Sequence, residues 1–444
     1  MPVLLFAFIT SLVTGVAFGI IPAWVAARVD PIEALRGSGR ATARAGSLSR
    51  KMLIAFQTAL SLVLVTAAGL LSAALGRMEN QDFGFELDRR IVANINPRLA
   101  GYRTGQLPAL YRRIRDSIAN IPGVSSVALC LYSPPGGGWA SGVWVDGHPA
   151  PGPRDDNFSS WNRVTAGYFE VVATPILRGR GISEQDTADS RRVAVVNEAF
   201  ARKFFGSEDP IGKHFGPRPG MSRGFEIVGV VREARYFTHG LDQPTGPMYF
   251  TPEAQADYTQ NLGVNFLHDI VIAAKPVANV SAPSVLQAMA SVDPNMPVIS
   301  IRTLREQIAS QFTQPWLIAR LTSFFGILSL LLASIGLYGV TAYNAGCRTG
   351  EIGVRMALGA NRGNIVRLVL RGAFALILWG LLIGLPLTLA GAQFLGNQLY
   401  GMDPYNPMVV LTAVLALGLS ALIASLIPAL RASLISPLAA LRAE

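Results

Sequence analysis

The apolar residues of this chain gather into five long blocks that contain no Asp, Glu, Lys or Arg: residues 1–27, 52–76, 321–347, 372–402 and 404–430. A membrane-spanning helix needs about 20 apolar residues at a rise of about 1.5 Å each, so every block is long enough. The pattern predicts five spanning helices. The first block is a poor signal peptide, because it lacks a positively charged start and its apolar run continues to Pro22.

Between the second and third blocks the period changes. Short β-branched runs broken by Gly, Pro and Asp predict strands at 90–96, 124–132, 192–197, 225–231, 269–274 and 297–301. Helices are expected over 105–120, with Leu107, Leu110, Ile114 and Ile118 at helical spacing, and over 197–204 and 282–292. Two β-α-β units emerge, at 90–132 and 269–301. Together they can assemble one split β-α-β sheet, with 140–255 inserted as a second lobe. The expected fold class is therefore an α-helical membrane domain plus an α+β extracytoplasmic domain.

Charge orients this arrangement. The chain has 38 basic and 28 acidic residues, a net charge of +10, and only 15% of its residues are charged, against about 25% in soluble domains. The stretch from Glu79 to Pro315 is neutral, with 23 of each sign, so the excess lies on the membrane shoulders. Arg28, Arg36, Arg40, Arg44, Arg50 and Lys51 fill the loop after the first block, and Arg348, Arg355, Arg362, Arg367 and Arg371 crowd the loop after the third. By the positive-inside rule both loops, and the tail with Arg431 and Arg442, are cytoplasmic, which leaves the neutral segment outside. These Arg residues flank apolar helices and do not interleave with aromatics on a soluble face, so no nucleic-acid partner is expected.

The chain then divides into a transmembrane helix at 1–27, a basic cytoplasmic linker at 28–51, a transmembrane helix at 52–76, the outside domain at 79–315, a transmembrane helix at 316–346, a cytoplasmic coupling helix at 347–364, transmembrane helices at 365–395 and 404–430, and a cytoplasmic tail at 431–444. The segment IIPAWVAARVDPIEALR at 20–36 returns as LIPALRASLISPLAALR at 426–442, with Pro22, Ala23, Ala26, Pro31, Ala34, Leu35 and Arg36 repeated at a constant offset. The first helix is thus expected to be the last helix of a preceding module in a longer chain.

Little of the sequence carries reaction chemistry. GSEDPIGKH at 206–214 has the wrong spacing for a phosphate loop and ends in His214 where Ser or Thr is required, so it is read as a turn. His148, His214, His239 and His268 are scattered without metal-ligand spacing, Asp155 and Asp156 sit in a Pro/Gly-rich loop, and no nucleophile elbow occurs. Cys130 lies in the outside segment and Cys347 at an inner helix edge, so no disulfide is expected. Neither an enzyme nor a resident cofactor or metal is anticipated. The apolar blocks hold no ionisable residue, with Gln57 among their few strongly polar side chains, which argues against an ion-coupled transporter.

The inner loop CRTGEIGVRMALGANRGNIVRLVLR at 347–371 is the remaining candidate. Glu351 and Arg355 stand one turn apart, Arg348 and Arg362 continue that polar side, and Ile352 and Met356 share an apolar stripe. An interfacial helix with snorkelling Arg among membrane lipids is the simpler reading; a helix that docks on a cytoplasmic motor is the sharper one.

EIGVRMALGA, the one-helix, outside domain, three-helix order and the terminal P-x(8)-P-x-x-A-L-R tail resemble the FtsX/MacB-type permeases of ABC transporters. VTAGYFEVVATPILRGRGISEQD, RRVAVVNEAFARKFFGSEDPIGKHF and FEIVGVVREARYF resemble their MacB-like periplasmic core, and the extra leading helix resembles the duplicated orphan permeases of that group. The resemblance covers about residue 50 to the C-terminus. It implies a multi-pass protein of the bacterial inner membrane that passes ATP-driven motion of a separate cytoplasmic ABC-type ATPase to its outside domain, for export or extraction of a substrate. It also implies a second permease module, in the same or another chain, a possible periplasmic partner, and Glu351, Ile352, Gly353, Arg355, Ala357, Leu358, Gly359 and Ala360 as the ATPase-facing element. The competing reading is a membrane-anchored sensor or scaffold that regulates an envelope partner without an ATPase.

Overall fold

A computed structural model describes residues 5, 8–12, 16, 40–134, 136, 138–152, 154–236, 245–259, 262–276, 280–394 and 405–434, with side chains omitted at 40–50 and 394. Nearly all of the span expected at 1–27, the first half of the linker, the repeat copy at 20–36, His239 and the tail beyond 434 lie outside the described residues.

In chain order, α1 (Arg40–Glu79) leads to β1 (Arg90–Ile95), α2 (Leu107–Ala119), β2 (Val124–Cys130), β3 (Trp139–Gly142), β4 (Trp144–Val145) and β5 (Phe158–Val164). Then come α3 (Tyr168–Val172), β6 (Ile176–Gly179), β7 (Val193–Asn197), α4 (Glu198–Phe205), β8 (His214–Gly216), β9 (Phe225–Val231) and β10 (Met248–Pro252). The chain continues through β11 (Asp269–Ala274), α5 (Ala282–Val292), β12 (Val298–Thr303), α6 (Leu304–Gln311), α7 (Thr313–Gly346), α8 (Thr349–Ala357), α9 (Arg362–Phe394) and α10 (Pro407–Ser433). These elements form two compact units, residues 75–316 and residues 1–74 with 317–444.

In the first unit the strands run β12-β1-β11-β2-β5-β10-β7-β9-β8-β4, with β3 on β5 and β6 on β9. The β12-β1-β11-β2 part is antiparallel throughout, and β11 separates β1 from β2, so the two β-α-β units interlock as a split β-α-β sheet. The inserted lobe continues this sheet. A single residue pair, Cys130 with Val164, joins β2 to β5, and parallel pairs β5/β10 and β7/β9 follow.

Helix α2 forms because its apolar residues recur every three or four positions, and that stripe, Leu107, Leu110, Tyr111, Ile114 and Ile118, is the face it buries. The Tyr111 hydroxyl donates to the Asn265 carbonyl at 3.0 Å and accepts from the Leu267 amide at 2.7 Å, so the buried phenol is satisfied. In the lobe, Asn197 caps α4: its Oδ1 accepts from the Phe200 and Met248 amides, and its Nδ2 donates to the Gly246 carbonyl. Phe200 and Phe205 then pack with Phe215, Ile227, Val230 and Tyr249 as the lobe's core. GSEDPIGKH is a turn after α4, with Gly212 at φ +78°.

Four described helices are long and apolar enough to cross a membrane: Lys51–Glu79, Thr313–Gly346, Arg362–Gln393 and Pro407–Ser433. They share a core of Ile54, Leu62, Leu337, Ala373, Leu376, Ile377, Ala413, Leu417 and Ala421. Small residues permit the close approach, as is common between spanning helices: a Cβ added at Gly380 would lie 2.5 Å from Thr58 Cβ. Ser61 Oγ and Ser329 Oγ, 2.7 Å apart, hydrogen-bond across α1 and α7.

Two local expectations change. Residues 40–51, taken as linker, are the first turns of α1, since their Ala, Arg, Leu and Lys sustain a helix. The segment 347–364 is not one helix: α8 ends at Ala357, and 362–364 already belong to α9. The cause is Gly359, at φ +92°, a conformation that a Cβ disfavours.

Candidate coupling surface

Helix α8 is set between two turns. Thr349 Oγ1 donates to the Gly346 carbonyl at 2.6 Å as α7 ends, which turns the chain into α8. At the other end the Gly359 amide reaches the Met356 carbonyl at 3.1 Å and the Ala360 amide reaches the Arg355 carbonyl at 3.0 Å. Those two bonds and the left-handed glycine make a Schellman stop. Asn361 follows, its carbonyl accepting from the Asn364 amide in the first turn of α9.

Nine residues are too few to hold a helix in isolation, where about 12–15 are needed. Burial supplies the difference. Ile352, 1% exposed, packs with Ala345 of α7, Ile365 of α9 and Ala432 of α10, and Met356 covers the cluster. One side chain therefore ties α8 to the ends of three spanning helices.

The opposite side is open. Glu351 Oε1 and Arg355 Nη2 form an ion pair at 2.7 Å, both half exposed, contributing about 0.3–0.5 kcal/mol. Beside it Val354 is exposed and Leu358 is 83% exposed. Glu351, Val354, Arg355 and Leu358 stand at i, i+3, i+4 and i+7, so they line one helix face. An exposed apolar stripe flanked by an ion pair suits contact with another surface more than contact with water.

Of the eight residues singled out in the sequence, Glu351, Arg355, Ala357, Leu358 and Gly359 are exposed, Ala360 is half-buried, and Ile352 and Gly353 are buried. The last two face the membrane unit and are unavailable to an outside partner; their place is as anchor and packing. Val354 was not among the eight, although its i+4 spacing to Leu358 is the signal that finds it. Arg348, at the N-terminal boundary of α8, and Arg362, the first residue of α9, are also exposed.

The other candidates stay apart. Among the described residues no group of three or more His, Cys, Asp or Glu is placed to hold a metal. Cys130 is buried in β2, where burial pushes its thiol well up, and Cys347 is exposed. Asp156 pairs with Lys203 at 2.8 Å on the lobe's surface.

Residues 55–290, more than half the chain, match the MacB-like periplasmic core domain, and residues 323–437 match the FtsX-like permease C-terminal region. The macrolide export ATP-binding/permease protein MacB of Marinobacter nauticus is 27% identical over 279 residues, 61% of this chain and 41% of that protein. An uncharacterised ABC transporter permease, YknZ of Bacillus subtilis, is 26% identical over 300 residues, 66% of this chain and 72% of that protein. The periplasmic region of MacB from Actinobacillus actinomycetemcomitans overlays 53% of this chain and 97% of its own length at 14% identity, with a TM-score of 0.35. The chain spans less than half the length of the MacB relatives it matches.

Proposed function

Since the chain belongs to the family of FtsX/MacB-type ABC transporter permeases, we propose that it couples a cytoplasmic ABC-type ATPase to its extracytoplasmic domain, driving export or extraction of a substrate. ATP hydrolysis belongs to that partner. The permease contributes the lever.

The observation that carries this reading is α8: an open face of Glu351, Val354, Arg355 and Leu358 on a short helix whose inner face is fixed, through Ile352, to the ends of α7, α9 and α10. A force on the open face passes to three spanning helices through the packing of Ile352 against Ala345, Ile365 and Ala432. Two of the long helices, α1 and α7, run without interruption on either side of the extracytoplasmic segment in the chain. At about 1.5 Å per residue, α1 is about 60 Å long and α7 about 51 Å, both longer than a hydrocarbon core of about 30 Å. Motion along them needs no ionisable relay in the membrane.

The test is a photoreactive group at position 355 in native membranes, followed by mass spectrometry of what it captures. Recovery of an ABC-type ATPase supports the coupling role. A probe that reacts with cytoplasmic reagents yet captures no ATPase refutes it. Glu351→Arg, which replaces the ion pair by repulsion, is expected to leave the protein folded and to lower ATPase-dependent function; normal coupling in that variant counts against the same reading.

A further inference from the structure

A cavity of about 790 Å³ opens between α1, α7 and α9, within the range of sites that hold a whole organic ligand. Its wall is largely apolar, with Ala55, Phe56, Ala373, Leu376, Trp379 and Ile383 among the lining residues. Phe56 is 58% and Trp379 63% exposed, so the wall is open to the surroundings of the helices. The polar lining comes from Lys51, the first residue of the α1 span, from Thr341 and Asn344 in the last turns of α7, and from Arg348 at the N-terminal boundary of α8. These lie at the ends of their spans that carry the basic loops. Among the described residues no carboxylate lines the cavity, and neither Lys51 nor Arg348 has an ion-pair partner.

A long apolar wall with two unmatched cations at its inner end has the chemistry of an amphiphile with a negative head. We propose that this cavity binds one anionic phospholipid of the inner leaflet, its acyl chains along the apolar wall and its phosphate held by Lys51 and Arg348. Asn344 and Thr341 supply hydrogen bonds for the phosphate or the glycerol backbone. A second copy of this chain is a worse occupant. A two-fold contact through this groove would face the same basic residues of both copies towards one another, with no carboxylate among the described lining residues to offset them. Basic pockets between spanning helices on the cytoplasmic side are a known way of holding anionic headgroups. The lining includes Ile352 on the inner side of α8 and Arg348 at its N-terminal boundary, but none of Glu351, Val354, Arg355 and Leu358 on its open face, so the proposal does not rest on the ATPase reading.

The experiment is native mass spectrometry of the full chain in detergent, titrated with phosphatidylglycerol and, separately, with phosphatidylcholine. The protein should retain phosphatidylglycerol in preference. Each cation near an anionic lipid is worth about a fivefold preference, so Lys51→Gln with Arg348→Gln should lower the preference about twenty- to thirtyfold. The control pair Arg362→Gln with Arg367→Gln removes the same charge outside the cavity and should retain it. An unchanged preference in the Lys51/Arg348 variant, or an equal loss in the control pair, overturns the proposal. So does displacement of the lipid by millimolar inorganic phosphate, which would make the site one for free anions, or a chain dimer that forms only when lipid is absent, which would make the groove an interface.

Discussion

Ile352 is the test of how α8 is held. Ile352→Ala removes three carbons from a side chain that is 1% exposed and touches three helices. Such a truncation costs about 2–5 kcal/mol, the upper end applying where the site cannot collapse. Here the surroundings are helix ends fixed by their own spans, so about 3 kcal/mol is the expected loss. It falls on local order, because a nine-residue helix has no reserve of its own. At 1.4 kcal/mol per factor of ten, 3 kcal/mol raises the open population of α8 about a hundredfold. The assay is hydrogen exchange on the full chain in detergent, following the amides of Ile352, Leu358, Gly359 and Ala360, each bonded within α8 or its C-terminal turn. These should exchange about a hundredfold faster while the amides of α7 keep their protection. Leu358→Ala is the contrast: at 83% exposed it should change stability by less than about 0.5 kcal/mol and keep the exchange pattern, yet weaken ATPase capture. Unchanged exchange in folded Ile352→Ala would refute the anchoring argument.

Three further outcomes are expected. Gly380→Val places side-chain atoms where Thr58 already lies, so it should cost about 1–3 kcal/mol and lower the melting temperature in detergent, whereas Gly418→Val, with no heavy atom within 4 Å of its added Cβ, should not. Asn197→Ala leaves the Phe200 and Met248 amides without their acceptor, a loss of about 2–3 kcal/mol that should appear as faster proteolysis within 190–250. Burial pushes the Asp186 carboxyl up, but bonds from Arg180 at 2.7 and 2.8 Å and from the Ser183 amide hold it below the usual carboxylate range. Its stabilisation is therefore present above the unfolded value of about 3.9 and is lost as pH falls through the lower folded value. Asp186→Asn should be less stable than the parent at pH 7, with the gap closing as melting is measured towards pH 3.

Much of this was legible in the sequence where the signal is local. The run DIVIAA is β11 residue for residue, and the Leu107, Leu110, Ile114, Ile118 spacing is the buried face of α2. What escaped has long-range or volumetric causes. Strand β5, FSSWNRV, is too polar to stand out, and it forms because β10, over 80 residues later, lies parallel to it. Ile352 and Leu358 are both apolar residues of one short segment, and only the surrounding helix ends decide that the first is sealed and the second open. Gly359 read as one small residue in EIGVRMALGA; its left-handed backbone, which ends α8, depends on the carbonyls of Arg355 and Met356 behind it. The cavity between α1, α7 and α9 is a gap, and a gap leaves no mark on any one stretch of chain.

The rung that pairs Cys130 with Asp269 is the doorway of the inserted lobe. Everything from 131 to 268 leaves the four-stranded part at one side of this rung and returns at the other, so to β2 and β11 the lobe is an oversized hairpin loop. Loop-closure entropy rises only with the logarithm of loop length, which makes such an insertion inexpensive for its host. The Asp269 carboxylate latches the doorway, accepting from the Ser133 amide just past the exit and from Asn94 on β1, both at 2.6 Å. The insertion braces its host in return: its Thr165 hydroxyl accepts from the Leu129 amide of β2, and its Asn265 carbonyl and Leu267 amide satisfy the buried Tyr111 phenol of α2, so the lobe acts as a keystone for the strands it interrupts.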